Sequence, residues 1–397
     1  MTSLRGITMP EAGAATLRTV MSRHCQVLLH DYLGLPPLPP TADPGASVVV
    51  EALLRSHRPH VIRALRRPPV SGMLGEARRL SSGAGGAEYR SARRSLDLLL
   101  LSELSAAGAL PCDVVVLPDA AGWPAILSVG GRTGGTPPAT AKLVFGSGRV
   151  DLEIDGERRP WVAEPTYFEI ESGICFAVRD TNPLLPVQGH PERPGNTVDL
   201  GGRPLDEWLT SLRAAFAILR EHAPFVHEEM RLALEIVVPT GYDPERHFSV
   251  SYAESVGAVY MSLHPNVMTL AEALVHEWQH NKLNALNRWA PLLVNADRPL
   301  HASPLRPDLR PLRGVLMAVH AFLPVAALYE RMTRAAHPLT LGRDWQGRFR
   351  EIIAINREAA ETLLASGRPT SLGAELLDEI RGWDRYFADY AREHWPP

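Results

Sequence analysis

From Asp113 to about Asp180 the chain breaks into short β-branched runs: DVVVLP, AILSVGG, KLVFG, RVDLEI and YFEIESGICFAVRD. Glycine and proline close each run after a few residues, which predicts antiparallel strands joined by turns. The texture on both sides is helical. ASVVVEALLRSHRPHVIRALRR (46–67) and a leucine-rich stretch near 97–108 precede the runs, and LDEWLTSLRAAFAILREHA follows them. Three more strand-like pieces, LALEIVVP, HFSVSYAE and GAVYMSLHP, lead into helix that continues to the end, with 291–311 as the main loop. Residues 182–204 carry no periodicity and are expected to form a long loop. No internal repeat is present. The expected fold class is therefore α+β. It has a helical N-terminal part (1–110), an antiparallel β-rich middle with a helix (111–240) suited to peptide binding, and a mainly helical C-terminal half (241–397).

Charge and cysteine usage narrow the function classes. With 41 basic and 44 acidic residues in 397, the net charge is −3, so no basic excess calls for nucleic acid. Lys142 and Lys282 are the only lysines, so the arginine count reflects a coding bias rather than phosphate binding. Cys25, Cys112 and Cys175 are far apart, with no CxxC pair, and give no disulfide framework. The N-terminus lacks a signal-peptide core, and the longest apolar run, Gly314–Tyr329, is broken by His320 and Pro324. These features point to the cytoplasm and away from a membrane.

The chemistry is concentrated in His276-Glu277-Trp278-Gln279-His280, an HExxH sequence. Thr269 and Glu272 have capping-box spacing ahead of it, which predicts a helix. On a helix, residues i and i+4 share a face one turn apart, so two imidazoles can reach one metal ion. Glu277 beside them can act as a base or orient a ligand. A third ligand is needed. Leu283 and Leu286 replace the glycine and histidine that a metzincin requires. A gluzincin would use a later glutamate, and Glu330 is available. His320 is placed ahead of it, on an apolar helix where Pro324 removes the hydrogen-bond partner of its carbonyl. His264 and His301 also remain. The loop HASPLRPDLRPLRG (301–314) sets Arg306, Arg310 and Arg313 around Asp308 and stiffens them with three prolines, a composition suited to a carboxylate ligand.

HEWQHNKLNAL followed by SPLRPDLRPLRGVLMAVHAF resembles the HExxH-type α-ketoglutarate-dependent peptide β-hydroxylases, which modify ribosomally synthesised peptides. SVSYAESVGAVYMSLHPN and FAVRDTNPL are similar too, the latter with Asp-x-Asn-Pro where Asp-x-Asp-Pro is expected. The likeness covers roughly 165–335. Members carry His where this chain has Met317, and here the neighbouring turn offers His320. The resemblance implies a non-haem Fe(II) oxygenase with three protein ligands on one face of the metal. It implies α-ketoglutarate as cosubstrate, its distal carboxylate on Arg310 or Arg306, and a precursor peptide as partner. On this reading Glu277 orients a ligand or water, or touches the iron.

Two other classes fit the residues. In a zinc metallopeptidase of gluzincin type, the metal would lower the pKa of a water and Glu277 would take its proton. A non-catalytic partner would bind a leader peptide, for example by strand addition to a sheet edge. Asp180, Ser251 and Ser255 receive no role, and capping of turns and strand ends accounts for them equally well.

Overall fold

Helix and strand follow the sequence texture closely. The computed structural model describes residues 3–11, 13–38, 45–83, 86–116, 131–132, 141–161, 164–180, 182, 198–304, 306–342 and 344–395. Helices come first: α1 (Ala15–Leu33), α2 (Gly45–Ser56), α3 (Arg58–Arg66), α4 (Pro68–Leu80) and α5 (Ala87–Ala106). Prolines in the first turns of α3 and α4 suit those positions, because the missing N–H has no helical acceptor there. The strands β1 (Val114–Val116), β2 (Gly131–Arg132), β3 (Lys142–Gly146), β4 (Arg149–Ile154), β5 (Glu157–Pro160), β6 (Glu164–Pro165), β7 (Tyr167–Glu171) and β8 (Ile174–Ala177) follow. After α6 (Leu205–His222) and α7 (Pro224–Ala233) come β9 (Ile236–Tyr242), β10 (Ser249–Val250) and β11 (Ala258–Leu263). The last part contains α8 (Val267–Trp289), β12 (Leu300–Ser303), β13 (Arg306–Pro311), α9 (Leu312–Arg334), α10 (Trp345–Ser366) and α11 (Ser371–His394). The fold is α+β, helical at both ends with sheets between. Most of the AILSVGG run, and residues 183–197 of the expected long loop, lie outside the described residues.

One sheet, β1-β3-β4-β5, is antiparallel throughout. A second runs β10-β11-β9-β8-β7, and in it β9 pairs in parallel with both β8 and β11. Its central strands are covered on both sides, so β11 is buried at every position. Side chains alternate between two cores. Val237, Val259 and Met261 enter the large core with α6, α8, α9 and α10, while Ile236, Val238, Ala258 and Tyr260 face a smaller cluster. A third core joins α2–α5 and the end of α1 to the first sheet. By length and composition α9 could cross a bilayer, but 78% of its most apolar window is buried inside the fold, as in a core helix.

Two expectations near the metal motif change. Asn266, not Thr269, caps α8, accepting from the Met268 N–H at 2.9 Å, so the helix starts before the capping-box residues. The expected loop 291–311 contains the β12–β13 hairpin, with His301 opposite Arg310 and Ser303 opposite Arg306. Pro307 and Pro311 are tolerated because a two-stranded ribbon is all edge.

Polar contacts tie distant segments together. The N–H groups of Leu4, Gly6, Thr8 and Met9 donate to Glu375 and Glu379 on α11. Lys282 on α8 is fully buried, donating to Glu229 at 2.7 Å and to the Ile7 carbonyl. His24 on α1 is also fully buried, and neither ring nitrogen has a hydrogen-bond partner. Burial, with Arg288 and Arg66 nearby, lowers its pKa to about 3. The unfolded chain therefore takes up a proton near pH 6.5 that the folded chain refuses until about pH 3. Stability from this group is complete above pH 6.5 and falls by about 1.4 kcal/mol per pH unit below it. His24→Phe is expected to flatten the acid limb of a stability–pH curve by one proton's worth. An unchanged slope would show that His24 does not set it.

Candidate metal centre

The central turns of α8 are fixed from behind before any ligand side chain is considered. Asn281, fully buried, accepts the Gly257 N–H at 2.7 Å and donates to the Ala258 carbonyl at 3.1 Å, clamping the helix to β11. On the opposite flank His276 and His280 stand one turn apart, with ring centroids 4.4 Å apart and planes at 81°. The ligand atoms of His276, Glu277 and His280 all lie within 4.8 Å of one another.

Electrostatics keep both imidazoles neutral. Burial, reinforced by His280, Arg348 and His247, holds His276 well below its usual range. Burial alone lowers His280 to about 4. Neutral rings present lone pairs, the form that binds metal. The Nδ1 atom of His280 is buried and has no hydrogen-bond partner. Glu277 is nearly inaccessible, and its two oxygens accept from Ser249 at 2.7 Å and Ser251 at 2.9 Å. Burial raises its pKa to about 7 against the pull of these hydroxyls. Two imidazoles and one carboxylate make a donor set that suits a divalent first-row metal.

The serine pair was not legible as a site, although its spacing is informative. Residues i and i+2 of a strand share a face, so Ser249 and Ser251 can grip one carboxylate. Ser255 instead donates to the Pro68 carbonyl, and Asp180 accepts from Tyr260 at 2.7 Å and from the Asn182 N–H. Those two residues dock the N-terminal helices and shape a turn.

A cavity of about 380 Å³ opens beside the histidines, walled by Arg310, Ser303, Met317 and Phe322. The Phe322 ring lies 4.8 Å from that of His276. His276 and Phe322 also border a second cavity of about 250 Å³, which contains Glu272 and Arg348. Glu272, Thr269 and Arg348 then border a third, of about 650 Å³, reaching Trp345 on α10. The first cavity is bordered by both histidines, the second by His276 alone and the third by neither.

The remaining sequence candidates fall in different places. Arg310 is in the cavity wall, with Asp308 at 3.3 Å from its Nε. Arg313 pairs with Asp297 on the surface, and the Arg306 side chain lies outside the described residues. The structure does not bring His320 into the ligand group. Its ring is fully buried, with no hydrogen-bond partner for either nitrogen. Burial, then Lys282 and His280, hold it well below its usual range. Glu330 binds Tyr386 and Arg334, His264 accepts the Asn266 N–H, and His301 sits across from Arg310. None of the three joins the group. Phe322, Met317 and Arg348 were not singled out as site residues by sequence reasoning. Met317 and Phe322 are five residues apart, about 140° round α9, so helical spacing does not pair them, and nothing local marks Arg348. Compared with known proteins, the sequence matches no protein-family model and no curated protein.

Proposed function

We propose that this protein is a non-haem Fe(II), α-ketoglutarate-dependent oxygenase that hydroxylates a β-carbon in a ribosomally made peptide. The observation that supports it is the placement of Arg310 in the wall of the cavity that also holds His276 and His280. A dicarboxylate cosubstrate on a metal leaves one charge facing protein, and burying that charge unpaired is costly. A guanidinium on the cavity wall answers it. Two imidazoles with one carboxylate form the ligand type associated with iron oxygenases. Iron, cosubstrate and oxygen together supply the C–H oxidation. His276 and His280 hold the metal, the two serines fix the orientation of Glu277, and Phe322 excludes water. The two cavities that His276 borders give an extended peptide room beside the centre.

Fe(II), α-ketoglutarate, oxygen and a ribosomally made precursor peptide that is its substrate should yield a peptide heavier by one oxygen atom, with one succinate per event. Arg310→Ala is expected to weaken α-ketoglutarate binding by about thirtyfold, about 2 kcal/mol, the low end for a charge pair because the arginine is partly exposed. Arg310→Lys should rescue only in part, since it loses the paired donors. Calorimetric affinity unchanged in both variants would remove Arg310 from the assignment.

A zinc hydrolase is the second reading. It is favoured by the position of Glu277, whose carboxylate lies within 4.8 Å of the ligand atoms of both histidines, where a general base for a metal-bound water would stand. Peptide cleavage with zinc and without oxygen would establish it over the first.

A further inference from the structure

The wall facing His276 and His280 belongs to α9, and its residues there are Gly314, Met317, Ala318 and Phe322. They follow helical spacing and make one stripe. Within that stripe only Met317 carries an atom able to bind a metal. Glycine and alanine on either side keep the wall low, and a methionine side chain, unbranched and half-buried here, can reach across it. His320 lies three residues further on, about 60° round the helix. Its ring is fully buried, does not line the cavity, and is not in the group formed by the ligand atoms of His276, Glu277 and His280. The imidazole of α9 therefore stands outside the cavity that the ligand pair lines.

We propose that Met317, rather than His320, is the ligand α9 offers to a metal held by His276 and His280, and that its thioether gives the centre a high affinity for cuprous ion. Two neutral imidazoles with one thioether form a soft donor set that favours Cu(I), whereas a neutral sulfur, lacking the thiolate charge, adds little for the harder zinc and ferrous ions. Copper would then be a strong competitor for the centre, and the residue at 317 would decide how strong. The inference rests on the metal centre of the proposed function, not on its oxygen chemistry.

The test uses the full metal-free chain, titrated anaerobically with Cu(I) against bicinchoninate and with Zn(II) against a chromogenic zinc chelator. Met317→Leu keeps the volume and removes the sulfur. It should weaken Cu(I) binding at least about tenfold and change Zn(II) binding less than about threefold. Met317→His should do the reverse, tightening Zn(II) at least about tenfold. Copper-edge absorption should show a sulfur neighbour in the natural chain that disappears in Met317→Leu. The three thiols are the same throughout the series, and His276→Ala/His280→Ala reports what they bind by themselves. Equal Cu(I) affinity in the natural chain and Met317→Leu, or the same sulfur signal in both, would overturn the proposal. So would a natural chain that binds neither metal more tightly than the double histidine variant. Sulfur ligation with no peptide hydroxylation would refute the oxygenase reading alone.

Discussion

Replacing His276 and His280 together with alanine is expected to abolish stoichiometric metal binding, weakening it by about a thousandfold or more, about 4 kcal/mol. Both rings are held neutral by burial, so each contributes a lone pair that no other described residue replaces within the group. The metal-free fold should change little, since alanine favours the helix and Asn281 still clamps α8 to β11. Element analysis gives the first readout. Thermal unfolding gives the second: metal at a hundred times its dissociation constant should stabilise the natural chain by about 2.7 kcal/mol and the variant not at all. Full metal occupancy in the double variant would sink the centre as assigned.

Breaking the buried pair of Lys282 and Glu229 is expected to be the most damaging single change to stability. Both side chains are inaccessible, and Trp278 also donates to Glu229. Lys282→Met leaves a carboxyl that burial already pushes upward, now without the cation that opposes this. A loss of about 3–5 kcal/mol is expected from removing one partner. The double variant Lys282→Met/Glu229→Leu removes both charges and should recover most of it, because an apolar pair of similar volume avoids the desolvation penalty. Urea unfolding of Lys282→Met, Glu229→Leu and the double variant checks this. A double variant as unstable as the singles would show that packing, not charge, is lost. Amide exchange at Leu4–Met9 should also rise in Lys282→Met, since the Ile7 carbonyl loses its donor.

What was readable in the sequence is what depends on short spacing. The i,i+4 histidines and the β-branched runs each fix a local geometry, and the α+β class follows from their order. The α9 register was not readable, because the stretch from Gly314 to Tyr329 is apolar on every side apart from His320 and leaves the face that meets α8 unmarked. That Met317 and not His320 lines the cavity depends on how α9 packs against α8, a contact between segments distant in the chain. The β12–β13 hairpin was hidden by its prolines and arginines, which read as a stiff loop. Ser249 was hidden because its strand is two residues long. Leu4 and Ile7 are fully buried although the segment around them has no helical or strand period, since its hydrogen bonds go to the last helix.

That last contact sets a clock on biosynthesis. Leu4 and its acceptor Glu375 are 371 residues apart. At roughly 5–20 residues per second, a ribosome needs about 20–75 s to make the second after the first. Over that interval the Leu4–Met9 strand of backbone cannot be held by α11, and the groove it fills over α8 is open to other chains or to chaperones. A nascent protein arrested before α11 should therefore be captured by a hydrophobic-binding chaperone at this segment, and released once the final helix leaves the exit tunnel.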